Sequence, residues 1–290
     1  QLGQAFSAKY PGVKANVIRT TGQVAYARLT QDIRAGVAQC DVFSATDIGH
    51  LVDLKAQGKL MKLDIENAAK LRAPYLNLDP DGYYVSTSAN PTVMVYNTKL
   101  VSADQAPTDW PDLIDPKWKG QVAISHPAFS GSTGSWAVLM KKLYGGEFFE
   151  KLEAQDPLIG RSLIDPPTVV TAGERSIGIS SLATATRLKL SGNPIEIVYP
   201  ETGAKLTISG TGVLANAPHP NAAKLFVNYL LSVDGDALLV KLGQQPLRPE
   251  VSAPEGIKTI DEIKVAPLTE QEVLDGVQDI IVEWRDVFGG

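Results

Sequence analysis

The chain has 290 residues, 44% of them hydrophobic and 20% charged, which is ordinary globular composition at a length that usually divides into two domains. A net charge of −5 with no basic run argues against nucleic acid as a partner, and no apolar stretch approaches the ~20 residues that cross a bilayer. The single cysteine, Cys40, excludes an intramolecular disulfide and any multi-cysteine metal site, and the three histidines (His50, His126, His219) are not at ligand spacing, so no cofactor is expected.

Leu2, Ala5 and Phe6 sit at helical spacing, and Lys9-Tyr10-Pro11-Gly12 stops that helix. A helix opening with no strand before it is expected to follow a strand outside the present sequence. Val13 to Arg19 alternates like a strand, and Thr20-Thr21-Gly22-Gln23 then turns into a helix over Val24 to Ala35. Cys40 to Phe43 reads as a second short strand, followed by Ser44-Ala45-Thr46-Asp47 and a helix over Ile48 to Gln57. Alternation of strand and helix predicts a mostly parallel sheet, whose ligand crevice lies at the carboxyl ends of the strands.

Asp79-Pro80-Asp81-Gly82 is a strong turn signal, and Tyr83 to Ser88 and Thr92 to Asn97 read as strands interrupted by Ala89-Asn90-Pro91. That interruption is expected to be the first crossing between two lobes. Val122-Ala123-Ile124 is a strand, Ser130-Gly131-Ser132-Thr133-Gly134 a hydroxyl- and glycine-rich turn, and Trp136 to Leu143 a helix. Asp165 to Thr168 is a polar turn entering a helix over Val169 to Glu174. Ser176 to Ile179 reads as a strand ending at Ser180-Ser181, with a helix over Leu182 to Leu190 after it. Ile195 to Tyr199 is a further strand. Leu206 to Leu214 is a strand run split by Gly210 and Gly212, where a bend and the return crossing are expected. Helices over Asn221 to Leu231 and Asp236 to Leu242 follow, then an irregular Pro-rich stretch. Thr269 and Glu272 form a capping-box pattern opening a helix that runs to Phe288.

What recurs is a polar turn between strand and helix, at Thr20, Ser44, Ser130 and Ser180. At such a turn free backbone N–H groups and the positive end of a helix dipole converge, and an anion is held without any lysine. Glycine admits close backbone approach, and serine and threonine add hydroxyl donors. The same residues also serve merely as helix caps. The candidate ligand-binding set is Thr20, Thr21, Gly22, Ser44, Thr46, Asp47, Ser130, Gly131, Ser132, Thr133, Ser180 and Ser181. Thr168, Glu201 and Arg19 are weaker candidates. His126 reads as structural or as part of a rim, Tyr83, Tyr84 and Tyr199 as core or surface residues, and Cys40 as a small buried hydrophobe.

The chain resembles the periplasmic solute-binding proteins of ABC importers, in the ferric-iron, phosphonate and sugar-phosphate branch with the type II fold. The most specific stretch is Val213 to Ser232, similar to the branch's "A-x-N/H-P-x-A-A-K-x-F-x-x-x-L-L-S". Ala5 to Val13 is similar to its "F-x-x-K-Y-P-G-V/I", Ala172-Gly173-Glu174 with Ile177-Gly178-Ile179 to its "G-E-x-x-I-G-I", and Tyr199 to Gly203 to its "P-x-x-G" turn. The resemblance implies an α/β, two-lobe periplasmic binding protein type II fold, with lobes joined by two β crossover segments that close over one solute. The expected division is 1–88 and 211–290 for the first lobe and 89–210 for the second. It further implies an exported, periplasmic protein without its signal peptide, a monomer partnered by an ABC permease in the inner membrane.

One departure bears on the ligand. Iron-binding members of the branch use two adjacent tyrosines after the "I-G-I" step, where this chain has Ser180 and Ser181. Serine hydroxyls do not ionise usefully at neutral pH, which disfavours ferric ion. The Ser130 turn matches the place where relatives hold an anion, so the expected solute is a small organic anion with a phosphate, phosphonate or carboxylate head. The alternatives are a ferric-ion receptor and a hydrolase using Ser130, which lacks the G-x-S-x-G elbow and an evident histidine base.

Overall fold

The computed structural model describes residues 1–289. In chain order its first elements are α1 (Leu2–Lys9), α2 (Gly22–Arg34), β1 (Val42–Ala45), α3 (Ile48–Ala56) and β2 (Tyr84–Asn97). Then come β3 (Val122–Ser125), α4 (Gly131–Tyr144), α5 (Glu147–Glu153), β4 (Leu158–Gly160), α6 (Asp165–Ala172), β5 (Ile177–Ser181) and α7 (Leu182–Leu190). The last are β6 (Ile195–Val198), β7 (Lys205–Val213), α8 (Pro220–Leu230), α9 (Val233–Lys241) and α10 (Glu270–Phe288). The chain divides into two compact units, one of Gln1–Ala89 and Ile208–Glu255, the other of Asn90–Thr207 and Gly256 onward.

In the first unit β1 pairs antiparallel with β7, Val42 opposite Val213 and Ala45 opposite Gly210, and β2 lies on the other side of β7. Leu29, Phe43, Ile48, Leu51, Leu54 and Tyr84 form the core where α2 and α3 cover these strands. Phe6 of α1 packs separately, edge-on to Phe226 at 5.0 Å. The glycines of β7 do not split it, and the strand runs unbroken from Lys205 to Val213. They make room instead: a Cβ on Gly210 would lie 2.5 Å from Leu51 Cδ1 and 3.0 Å from Ile48 Cδ1, so α3 comes this close only to a glycine.

Val13 to Arg19 is not a strand. It joins no ladder, and Val17 and Ile18 are 65% and 75% exposed. Alternation alone leaves backbone groups unpaired, and no strand among the described residues pairs with it. The expected mostly parallel sheet is accordingly absent here, and the first unit's β1–β7 ladder is antiparallel.

In the second unit β4, β3 and β5 are parallel, while β5 and β6 both run antiparallel to β2. Trp110, Trp136, Phe148, Phe149, Ile124, Ile177 and Trp284 fill its core. Trp284 belongs to α10, which packs against α4 and α5, and its ring lies 5.7 Å from that of Phe149. The last thirty-odd residues therefore belong to the second unit, not the first as the sequence reading placed them, and the chain passes between the units three times, at 89/90, 207/208 and 255/256. The first two passages lie inside β2 and β7, and Ala89-Asn90-Pro91 does not interrupt β2. The Thr269–Glu272 capping box is present, each side chain bonded to the other's backbone N–H.

Candidate functional site

Two sets of polar residues gather at helix starts, one in each unit. In the second unit, Ser130 has extended backbone angles and caps α4, its Oγ accepting from the Thr133 N–H at 3.3 Å. Gly134 N–H donates to the Ser130 carbonyl at 2.9 Å. The helix starts five residues earlier than the apolar spacing predicts, because small polar residues are good first-turn residues once a cap is in place. The Gly131 and Ser132 N–H groups are left without a partner among the described residues, at the positive end of a 14-residue helix. Gly131 is exposed and Ser132 half-buried.

Thr133 points the other way. It is fully buried, and its Oγ1 lies 2.6 Å from Ser125 Oγ at the end of β3. Ser180 is buried too, donating to the Ser181 carbonyl at 2.9 Å. Ser181 caps α7, its Oγ accepting from the Thr184 N–H at 3.2 Å and donating to Thr184 Oγ1 at 2.9 Å. The expectation that Thr133, Ser180 and Ser181 present free hydroxyls is thus corrected: all three hydroxyls are spent inside the chain. Asn90, not singled out in the sequence, holds the Ala183 N–H at 3.1 Å on the same helix start.

A cation stands near the Ser130 turn that sequence reading missed. The His126 N–H donates to the Gly160 carbonyl at 2.9 Å, which fixes the residue after β4 beside the residue after β3. That residue is Arg161. It is exposed, forms no ion pair among the described residues, and lies over the Phe129 ring with its guanidinium carbon 5.0 Å from the centroid. The three residues of β4 are too few to alternate, so no local pattern marks Arg161 as the residue after a strand.

In the first unit Asp47 caps α3, its Oδ1 accepting from the Gly49 N–H at 3.0 Å. Ser44 Oγ meets Thr211 Oγ1 at 2.7 Å, and Thr211 in turn meets Thr87 Oγ1 at 2.6 Å, a hydroxyl chain across β1, β7 and β2. Thr46 is exposed with no bonded side chain. Thr21 occupies the cap position of α2 without a side-chain cap bond, so the Thr20 and Thr21 hydroxyls are exposed and unbonded. Gly22 lies against His50, the third residue of α3, so the starts of α2 and α3 come together around that ring.

His50 is 7% exposed and stacks on Tyr26 of α2 with centroids 4.2 Å apart. Burial holds the imidazole below its ordinary pKa, against the pull of Asp47, whose Oδ2 is 3.6 Å from Nε2, and of Asp53. Tyr26 donates to the Asp53 carboxylate, and burial together with that carboxylate pushes its phenol up to about 12.

The weaker candidates are spent elsewhere or exposed. Thr168 donates to the Ile164 carbonyl at 2.8 Å within its own helix, while Glu201 and Arg19 are exposed. Tyr199 OH accepts from the Lys258 N–H at 3.1 Å, Tyr84 is in the core, and Tyr83 lies under Lys55. His126 Nδ1 accepts from the Ala128 N–H at 3.1 Å. Cys40, half-buried, donates to the Val42 carbonyl at 3.2 Å. No helix among the described residues is long and apolar enough to cross a membrane.

Comparison with known proteins places this arrangement. The family model described as bacterial extracellular solute-binding protein matches residues 40–260. A protein of Haemophilus influenzae is 33% identical over 143 residues, 48% of this chain and 41% of that protein. The iron uptake protein A1 of Synechocystis is 23% identical over 282 residues, 91% of this chain and 76% of that protein. The chain therefore spans about two-fifths to three-quarters of the length of these two relatives. The structure of the periplasmic binding protein AfuA from Actinobacillus pleuropneumoniae, with fructose 6-phosphate bound, superposes with a TM-score of 0.84 at 22% identity, covering 99% of this chain and 93% of that one. The chain belongs to the bacterial extracellular solute-binding protein family and carries the two-lobe type II fold of periplasmic binding proteins.

Proposed function

We propose that this protein captures a small organic anion with a phosphate, phosphonate or carboxylate head, and hands it to an ABC permease. The observation that carries this reading is the start of α4: two N–H groups without partners among the described residues, held in place by the Ser130 cap, with the exposed Arg161 guanidinium near the same turn. Preorganised donors of this kind suit an oxyanion and need no movement to receive it. AfuA, in the same fold, is seen with a sugar phosphate bound. The solute is returned chemically unchanged, as befits a family of binding proteins.

Ferric ion is the second reading, supported by the name of the Synechocystis relative. Against it stand Ser180, buried, and Ser181, engaged as a helix cap, at the positions where iron-binding members carry tyrosines.

Calorimetric titration with fructose 6-phosphate, phosphate, alkylphosphonates, small carboxylates and ferric citrate separates the two. The decisive variant is Gly131→Pro. Proline at the first helical position is tolerated, Ser130 already has the extended backbone that must precede it, and a Cβ at Gly131 meets nothing within 4 Å. It removes one N–H donor, so affinity for the anion is expected to fall about 10- to 100-fold with stability unchanged. Binding of ferric ion alone, insensitive to Gly131→Pro, would overturn the anion reading.

A further inference from the structure

The start of α2 has something that the starts of α4 and α7 lack, a buried imidazole facing it. Nδ1 of His50 is out of contact with solvent and has no hydrogen-bond partner. The ring edge that carries it faces Gly22, where a Cβ would lie 4.0 Å from Nδ1 and 3.9 Å from Cε1. Because residue 22 is glycine, no side chain intervenes between the ring and the first turn of α2. There the Gly22, Gln23 and Val24 N–H groups have no acceptor among the described residues, and Thr21 supplies no cap. An empty helix start of this kind is a site of positive potential, which opposes a proton on the neighbouring ring. An anion seated there reverses the sign and favours that proton.

We propose that the start of α2, with Thr20 and Thr21, receives an oxyanion head group, and that His50 is its charge partner, taking a proton from water as the anion is seated. This rests on the reading of the chain as an anion receptor and adds an element of the first unit to it. The other groups around the ring are accounted for. On α3 Asp47 faces Nε2 at 3.6 Å, on the far side of the ring from the Nδ1 edge that faces Gly22, and Asp53 is engaged by Tyr26 and Gln57. On α2 Tyr26 stacks on the ring as a neutral phenol, and Arg34 acts on that phenol. The anionic groups among these favour the imidazolium, and burial outweighs them, while the positive end of α2 opposes the proton as well.

The test is calorimetry of fructose 6-phosphate and phosphate near pH ~6 in buffers of different ionisation heat, comparing the native protein with His50→Gln so that the ligand's own titration cancels. The native protein is expected to take up about half a proton more per anion bound, and to bind about 3- to 10-fold more tightly at acid than at alkaline pH relative to the variant. Should His50→Gln fold poorly, NMR titration of the native ring gives the same answer, since its midpoint must rise when the anion is present. Gly22→Ala, whose methyl fits at van der Waals distance from the ring, is expected to weaken binding by covering the helix start. Anion binding with equal proton uptake in both proteins, or with an unmoved His50 midpoint, would overturn the inference while leaving the receptor reading intact. Failure of every anion to bind would sink both.

Discussion

The starts of α4 and α2 read alike in sequence, each a run of hydroxyl residues and glycine before a helix, and the structure uses them in opposite ways. At α4 the serine caps the helix and a threonine hydroxyl turns inward to Ser125, while the Gly131 and Ser132 N–H groups have no partner among the described residues. At α2 neither threonine hydroxyl is bonded, the helix has no side-chain cap, and a buried histidine stands behind it. Ser181 and Asp47 follow the α4 pattern. Of the four recurrent turns at Thr20, Ser44, Ser130 and Ser180, three supply a side-chain cap to the helix that follows, and only the start of α2 does not.

Substitutions can break this contrast. Thr133→Val is nearly isosteric but strands the buried Ser125 hydroxyl, so chemical denaturation should show a loss of about 1–3 kcal/mol. Ser130→Ala should lose about 1 kcal/mol by removing the cap, whereas Thr21→Ala, with no cap bond to lose, should change stability by less than about 0.5 kcal/mol. A cost at Thr21 equal to that at Ser130 would erase the distinction. The smallest expected effect concerns pH. Because burial holds the His50 pKa below its unfolded value, the folded state resists the proton. Stability is therefore fully present above the unfolded pKa of about 6.5 and falls as the pH drops below it. Denaturation midpoints of His50→Gln should show a shallower fall over that window.

Much of the helical structure was legible because capping and spacing are local. Thr269 and Glu272 announce α10, and Ser181 announces α7, through bonds between residues three apart. The strands were less legible. Val13 to Arg19 has the alternation but no ladder, β4 has a ladder but only three residues, and β7 carries glycines that signal a bend and serve a close approach by α3. Pairing is decided by residues far away in sequence, which no local pattern reports. Of the candidate site, the helix starts themselves were legible, but which hydroxyls face outward was not. Arg161 and His50 were invisible as site residues because their positions depend on the β3–β4 ladder and on the packing of α2 against α3.

The sequence by itself determined a two-unit α/β chain of the solute-binding family, with polar turns feeding its helices, because composition, helix caps and short motifs are carried by neighbouring residues. Only the tertiary structure decided that α10 belongs to the second unit, that Thr133, Ser180 and Ser181 are engaged internally, and that a buried histidine turns an Nδ1 without a hydrogen-bond partner toward Gly22. Burial and hydrogen-bond partnership are properties of contacts between distant segments, and those contacts exist only once the chain has folded.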